Sequence, residues 1–332
     1  MSLKAWHLAA YLLMALGIVG CKSEQEDMFS RYLDRLSNVL DDEARPLPQS
    51  YPSSLPEVRE LHRAPTRITL GLLDSYSLRQ CGLFQLVADN NSIMGKVADS
   101  FRQYDYQVSF IQTVEQCITH EDISDDVSAA LQQALEIKKN EVNAVYLSNL
   151  VWTSTAMRTQ LGDNRWFSDA DAHHSAVVVD ALAAIDDNFN EAAAHQWQVL
   201  RHLQSEQETL EKQPILGRLL YSLHNTANYI EHINHFISAR FPNVKCGENR
   251  DNTQYRYLTN VLKQQYIENI QQYTAELNQM YYQISPHIST LRNGTLAHHY
   301  NLDEHYGRFQ SANLEHVELW KQLSERCGSL TQ

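Results

Sequence analysis

The sequence predicts an all-α protein, an irregular multi-helix bundle of about seven to nine helices behind an N-terminal signal peptide. Three observations carry this expectation. Apolar residues recur at steps of three and four through most of the 332 residues. Glycine and proline are scarce, at 11 and 8, which argues against many short strands and tight turns. Only "RITLGLL", from Arg67 to Leu73, reads as a possible strand. With 43% hydrophobic residues and a mean hydropathy of −0.44, the chain suits a globular body rather than a polytopic membrane protein. Its length is ample for one large core or two modest ones.

The leader comes first. Residues 1–20 read MSLKAWHLAAYLLMALGIVG. Lys4 and the amino terminus form a positive start. Leu8 to Val19 is uncharged, long enough for a signal core and too short to span a bilayer. Gly20 then precedes Cys21. The run Ile18-Val19-Gly20-Cys21 resembles a bacterial lipobox. That resemblance implies cleavage between Gly20 and Cys21, a diacylglycerol on the Cys21 sulfur and a third acyl chain on the freed amine. At roughly 0.8 kcal/mol per buried methylene, two or three chains hold a protein on a membrane essentially permanently. Lys22 resembles the outer-membrane sorting default, with the inner membrane the other possibility. An ordinary signal peptide or an uncleaved anchor is the competing reading.

Phe29, Tyr32, Leu33, Leu36, Val39 and Leu40 place an amphipathic helix within residues 24–43. Its polar face is mixed in sign rather than basic, so it reads as part of the body and not as a membrane-surface segment. "RPLPQSYPSSLPE" follows, with Pro46, Pro48, Pro52 and Pro56. This stretch is an extended, helix-free connection that wraps over the body. The first helix is too short to fold alone.

From Thr69 the character is helical, up to the turn and cap signal Asn90-Asn91-Ser92. A second helix runs to about Ile118. Ser124 and two aspartates cap a third, with Val127, Leu131, Ala134 and Leu135 facing inward. It continues through Val145 and Val151 to about Leu161, with a break near Asn140. "GDNRWFSDADAHH" reads as a loop. Val178, Leu182, Ile185, Phe189, Ala193, Leu200 and Leu203 then carry a stripe toward Leu210, kinked at Asp186-Asp187-Asn188.

Pro214 opens the next helix. Its stripe is Leu216, Leu219, Leu220, Leu223, Ala227, Ile230, Ile233 and Ile237, and Phe241-Pro242 ends it. Residues 252–284 form another, with Leu258, Leu262, Tyr266, Ile270, Tyr273, Leu277 and Tyr281 on one side. A polar loop carries Pro286 and Asn293-Gly294. The last helix spans about Asp303 to Arg326 and stops at Gly328. The organisation is therefore a signal peptide at 1–20, a lipid-anchored helix at 21–45, a proline-rich connection at 46–66 and a helical domain at 67–332.

Setting Cys21 aside leaves Cys81, Cys117, Cys246 and Cys327. In an oxidising compartment four thiols suggest two disulfides, with three possible pairings; metal ligation is the rival, but no CxxC spacing occurs. Cys246 precedes the 252–284 helix and Cys327 follows the last one, so an antiparallel pair makes them neighbours. That leaves Cys81 with Cys117. A straight hairpin turning at Asn91 would separate them by roughly 24 Å, against a limit of about 7 Å between Cα atoms. The chain near residues 90–100 must therefore loop or fold back.

"LLDSYSLRQCGLFQLVADNNSIMGKV", from Leu72 to Val97, resembles the signature of a gammaproteobacterial lipoprotein family, the domain of unknown function 3080. Cys81, Ala88, Asn91, Ser92, Gly95, Lys96 and Val97 match it; Asp89-Asn90 departs from the Glu-Arg pair expected there. The "ERCG" around Cys327 and the cysteine at 246 are also similar. The resemblance implies an envelope location and an all-helical body. It brings no activity, no cofactor and no catalytic residues.

Sites for chemistry are sparse. His224, Asn228, Glu231 and His235 form a polar column beside the apolar stripe, with His232 adjacent. Glu231, His232 and His235 are candidate metal ligands, although the wetted flank of an amphipathic helix explains them as well. His173-His174 and His298-His299 with His305 are weaker clusters. No Gly-x-Ser-x-Gly, Ser-x-x-Lys, His-Glu-x-x-His, Gly-x-Gly-x-x-Gly or phosphate loop is present. A net charge of −13 disfavours nucleic acid. Tyr255, Tyr257 and Tyr282 lie off the stripe of their helix, and exposed tyrosine suits protein, sugar or peptide surfaces. The expected function is a lipid-anchored, periplasm-facing binding or scaffold protein. It contacts membrane lipid through acylated Cys21 and an envelope protein or cell-wall component through its body. An envelope enzyme acting on cell-wall glycan or peptide is the alternative.

Overall fold

The computed structural model describes residues 23–68, 77–293 and 296–328. Gly20, Cys21 and most of Arg67–Leu73 lie outside the described residues. The fold is all-α. Among the described residues there are thirteen helices, ten of them long, and no strand. The count exceeds seven to nine because one-turn helices occupy stretches that read as turns, and because two long stripes are interrupted.

Helix α1, Glu24–Leu40, starts on a capping box: the Ser23 hydroxyl accepts from Glu26 N–H while the Glu26 carboxylate accepts from Ser23 N–H. It ends on Asp41, at φ 49°. The proline-rich stretch is helix-free, as its composition requires, but Pro56 is soon followed by the one-turn helix α2, Val58–Leu61. Helix α3, Leu83–Asn91, ends at the expected Asn90-Asn91-Ser92 turn, and the single turn α4, Ile93–Lys96, with α5, Ser100–Cys117, replaces the second helix expected from the sequence. Gly95 is required here, because a Cβ at that position would lie 2.2 Å from the Asn90 carbonyl oxygen.

Helix α6 starts as Asp125–Glu141, capped by Ser124. It does not break near Asn140; it widens into a π-helical stretch, Val142–Leu147, and resumes as Ser148–Thr153. Ser154 then caps a separate helix α7, Thr155–Gly162. Helix α8, Asp169–Ala193, begins inside the segment expected to be a loop, because Ser168 and Asp171 form a second capping box. It runs uninterrupted through Asp186-Asp187-Asn188, where Asp186 and Asn188 are buried. The interruption falls later, between Ala194 and Leu203, before α9, Gln204–Lys212.

Helix α10 is Ile215–Ser238. Helix α11 comprises Thr253–Val261, a π-helical stretch Leu262–Ile270, and Gln271–Ile284. The loop expected around Pro286 holds the short helix α12, Ser289–Asn293, between two 3-10 turns. Helix α13, Leu302–Cys327, is the last described helix and stops before Gly328 at φ 84°. No described helix is long and apolar enough to cross a membrane.

The described chain forms two compact units, each built from segments distant in sequence. One holds residues 23–48, 232–272 and 319–328; the other holds 49–231 and 273–318. In the smaller unit, α1 buries Phe29, Tyr32, Leu33 and Leu36. Trp320 Nε1 donates to the Tyr32 hydroxyl at 3.0 Å, and Phe241 meets the edge of Trp320. Burial pushes the Tyr266 phenol, beside Tyr32, up to about 12. Tyr255, expected off the stripe, is buried because α13 covers a second face of α11; its hydroxyl donates to Ser324 Oγ. The Cys246–Cys327 disulfide belongs to this unit.

The larger unit carries the Cys81–Cys117 disulfide, with Cα atoms 5.3 Å apart. As the sequence requires of this pairing, the chain is not a straight hairpin turning at Asn91: α3 runs antiparallel beside the distal half of α5. Asn90 reaches Tyr106, Cys81 reaches Cys117, and residues 92–99 return the chain to the start of α5. The connection does wrap over this unit, and side chains of the helices grip its main chain. Asn225 Oδ1 accepts from Tyr51 N–H at 2.8 Å and its Nδ2 donates to Tyr51 O at 3.3 Å. Asn164 holds Ser53 in the same way at 2.8 and 3.0 Å, and Asn149 holds Arg63 at 2.8 and 2.8 Å.

Candidate binding face

The C-terminal part of α11, helix α12 and the start of α13 assemble an aromatic face in the larger unit. Tyr281 stacks flat on Tyr306, with ring centroids 3.5 Å apart and planes 6° from parallel. Tyr282 meets both rings edge-on, and 58% of it is exposed. The spacing explains the arrangement: Tyr281 and Tyr282 are adjacent on a helix and so splay by about 100°, while Tyr306 rises beneath them from α13. Tyr306 is itself buried, so the step offers the outer face of half-buried Tyr281 and the exposed ring of Tyr282, with a polar rim.

The rim is built from paired groups. Tyr306 OH donates to Asn278 Oδ1, and Gln310 Nε2 donates back to Tyr306 OH. Tyr281 OH donates to Asp303 Oδ1 at 2.9 Å. Arg292 grips the same carboxylate through Nε and NH2, both at 2.7 Å. The Arg292 guanidinium, against some burial and with help from Tyr281, holds the Asp303 carboxyl below its usual range. Burial, then Asp303, raises the Tyr281 phenol. Beside the rim lies a shallow cleft of about 260 Å³ lined by Ile288, Leu291, His298, Tyr300 and Leu302. The face can therefore stack on planar or sugar-like groups while offering amide, carboxylate and guanidinium partners. Tyr282 is the one member that the sequence singles out; Arg292, Asp303 and Asn278 carry no signal of their own.

A second cleft, of about 430 Å³, lies between α7, α9 and the start of α10. It is lined by Arg158, Arg165, Lys212 and Arg218 with Asp163 and Glu211. Its arginines are engaged: Arg218 bonds Asp163 and Asp171, and Arg165 forks onto Asp163. Burial raises Asp163, but Arg165 and Arg218 together leave it lowered.

The side chains of the polar column of α10 do not converge on one point. His224 turns to His305 on α13, with their Nδ1 atoms 3.2 Å apart. Glu231 takes the Arg308 guanidinium through both carboxylate oxygens. His232 Nε2 donates to the Arg45 carbonyl at 2.9 Å, and His235 is exposed. Asn228 is half-buried on the same helix. Glu231, His232 and His235 are thus each committed elsewhere or turned to solvent. Among the described residues no group of three or more His, Cys, Asp or Glu side chains could hold a metal ion. His173 is exposed on α8, and His174 Nδ1 bonds Ala170 O. The His298 and His299 rings sit 3.9 Å apart, with His299 against the edge of Trp152.

No curated protein and no solved structure matches the chain. A family model described as "Protein of unknown function (DUF3080)" matches residues 29–330, from the first core aromatic of α1 to just beyond the second disulfide. The chain therefore belongs to the DUF3080 family.

Proposed function

We propose that this chain is an exported lipoprotein that binds another envelope component and catalyses no reaction. Its leader is cleaved before Cys21, acyl chains on that cysteine hold it at the periplasmic face of the outer membrane, and the Tyr281–Tyr282–Tyr306 face meets the partner. The single observation that carries the reading is that face: a stacked tyrosine pair with a third, largely exposed ring, rimmed by charged and amide groups. Tyrosine supplies large, rigid contact area with little entropy to lose, which suits protein surfaces and polar polymers alike. The lipobox-like leader and two disulfides support the compartment.

The test uses the full-length protein in its native envelope. Radiolabelled palmitate should enter the wild type and not Cys21→Ala, and the labelled chain should fractionate with the outer membrane. A photo-crosslinking residue at position 282 should trap a discrete adduct that Tyr281→Ala abolishes. Palmitate failing to label the chain overturns the anchor. Release of soluble fragments from purified cell wall by the protein overturns the non-enzymatic reading.

A further inference from the structure

The grip on residues 50–66 has a chemistry of its own. Three asparagines each take both main-chain polar atoms of a single residue, at Tyr51, Ser53 and Arg63. A fourth point repeats the logic with an ion pair: Glu141 Oε1 accepts from Thr66 N–H at 2.6 Å, and Lys138 Nζ donates to Thr66 O at 2.6 Å. Between these points Arg158 NH1 donates to Pro56 O at 3.0 Å. The gripping residues come from α6, α7, the loop after α7 and α10, so they line one track across the larger unit.

Main-chain atoms dominate this grip, and three side chains add to it: the Ser50 and Tyr229 hydroxyls bond at 2.6 Å, Ser53 Oγ donates to Asn164 Oδ1 at 3.3 Å, and Arg63 NH1 donates to the Ala144 carbonyl at 3.2 Å. Of residues 50–66 only Leu61 is buried, and Tyr51 is 71% exposed. Elsewhere the chain uses the same asparagine device singly to close nearby loops, Asn188 on Arg201 and Asn252 on Gly247. Among the described residues, only here do several act in series, on a segment 86 to 174 residues away in sequence. Recognition through main-chain N–H and C=O is how proteins bind extended peptides with little regard to sequence.

We propose that this track is a peptide-binding site occupied by the chain's own connection, and that its ligand in exchange is an extended polypeptide segment of another protein. The occupant is tethered, so it competes at high effective concentration. It is held chiefly by main-chain bonds, with one buried leucine and three side-chain bonds beside them, so it can yield to another extended segment that offers the same main-chain groups. The site is independent of the tyrosine face.

The experiment measures binding of a fluorescein-labelled synthetic peptide with the sequence of residues 48–67 to the full chain by fluorescence polarisation. Ser53→Pro with Arg63→Pro removes two of the gripped N–H groups from the connection and leaves the track intact. This loosened chain should bind the peptide about tenfold or more tighter than wild type, the gain expected from about 1.4 kcal/mol less competition. Adding Asn149→Ala and Asn225→Ala should remove that gain. A scrambled peptide should bind within about threefold of the native one, while N-methylation at the gripped amides should abolish binding. No binding to a loosened chain of native circular dichroism overturns the proposal, and so does strong preference for the native sequence. Hydrogen exchange on the wild type decides the matter if the loosened chain fails to fold. The amides of Tyr51, Ser53, Arg63 and Thr66 should exchange through a local opening, and exchange only with global unfolding refutes it.

Discussion

His224 and His305 face each other across α10 and α13 with their Nδ1 atoms 3.2 Å apart, so one ring must donate and the other accept. Both rings cannot carry a proton on those nitrogens without breaking the contact. Burial, then His305 and Arg308, holds His224 below its ordinary value of 6.5; burial, then Arg308, does the same to His305 against the pull of Glu304. Glu231, paired with Arg308, pulls the other way on His224 without reversing the shift. A base whose pKa falls on folding binds fewer protons in the native state than in the unfolded one, so stability rises with pH across the interval between the two values. The melting temperature should therefore fall as pH drops from 7.5 to 5. His224→Asn with His305→Asn should reduce that slope. An unchanged slope means that the pair does not titrate with unfolding.

His316, buried in α13 and pushed down to about 3, adds to the same limb. Linkage assigns it about 2 kcal/mol of lost stability at pH 5. His316→Phe should lessen the acid sensitivity beyond what the His224 and His305 changes achieve. Urea midpoints at pH 5 and pH 7.5 provide the comparison, and equal differences in wild type and variant would refute it.

Lys138 and Glu141 form a buried pair that also ends the grip on the connection. Burial pushes the Glu141 carboxyl up, but hydrogen bonds from Lys138 and Thr66 leave it below 4.5. Lys138→Met strands that carboxylate and should cost roughly 3 kcal/mol. Lys138→Met with Glu141→Leu should cost less than the single change, because no uncompensated charge remains. Denaturant unfolding of the three variants measures the coupling. Additive losses would mean that the two groups act separately.

Most helices were legible because their caps and stripes are local. Ser124 with its aspartates and Gly328 each announce an end within four residues. The π-helical stretch of α11 had a signal that period counting alone did not decode. Leu258, Leu262, Tyr266 and Ile270 recur at unbroken steps of four, wider than 3.6 residues per turn allows for a straight stripe. The break after Ala193 had no proline or glycine to mark it. It depends on His195 at φ 60° and on Asn188 closing the loop onto Arg201, both set by tertiary contacts. The same holds for the tyrosine face, where Tyr281 and Tyr306 meet only after two helices pack. Buried asparagine within a helical stripe, at 149, 188 and 225, was the available hint that a main chain passes overhead.

Two glycines should respond to alanine in opposite directions. A Cβ on Gly95 would lie 2.2 Å from Asn90 O and 2.6 Å from Asp89 O, both backbone atoms that cannot swing aside. Gly95→Ala should cost about 2 kcal/mol or more and open the α3–α4 turn to proteolysis. Gly307 is exposed within α13, and a methyl group added there would meet nothing within 4 Å. Gly307→Ala should stabilise by about 0.5–1 kcal/mol through helix propensity. Thermal melts of the two variants check both signs.

Each disulfide closes its own unit, so their losses should be separable. Cys81–Cys117 spans 36 residues and Cys246–Cys327 spans 81. Loop closure assigns each about 4 kcal/mol, slightly more to the longer loop. Cys246→Ser with Cys327→Ser frees the end of α13 from the start of α11, and should destabilise the unit holding α1 while the α3–α5 turn stays protected. Cys81→Ser with Cys117→Ser should do the reverse, exposing residues 83–99 first. Limited proteolysis followed by mass mapping reads the order of cleavage. If either pair loosens both regions equally, the two units unfold as one and the disulfides do not act locally.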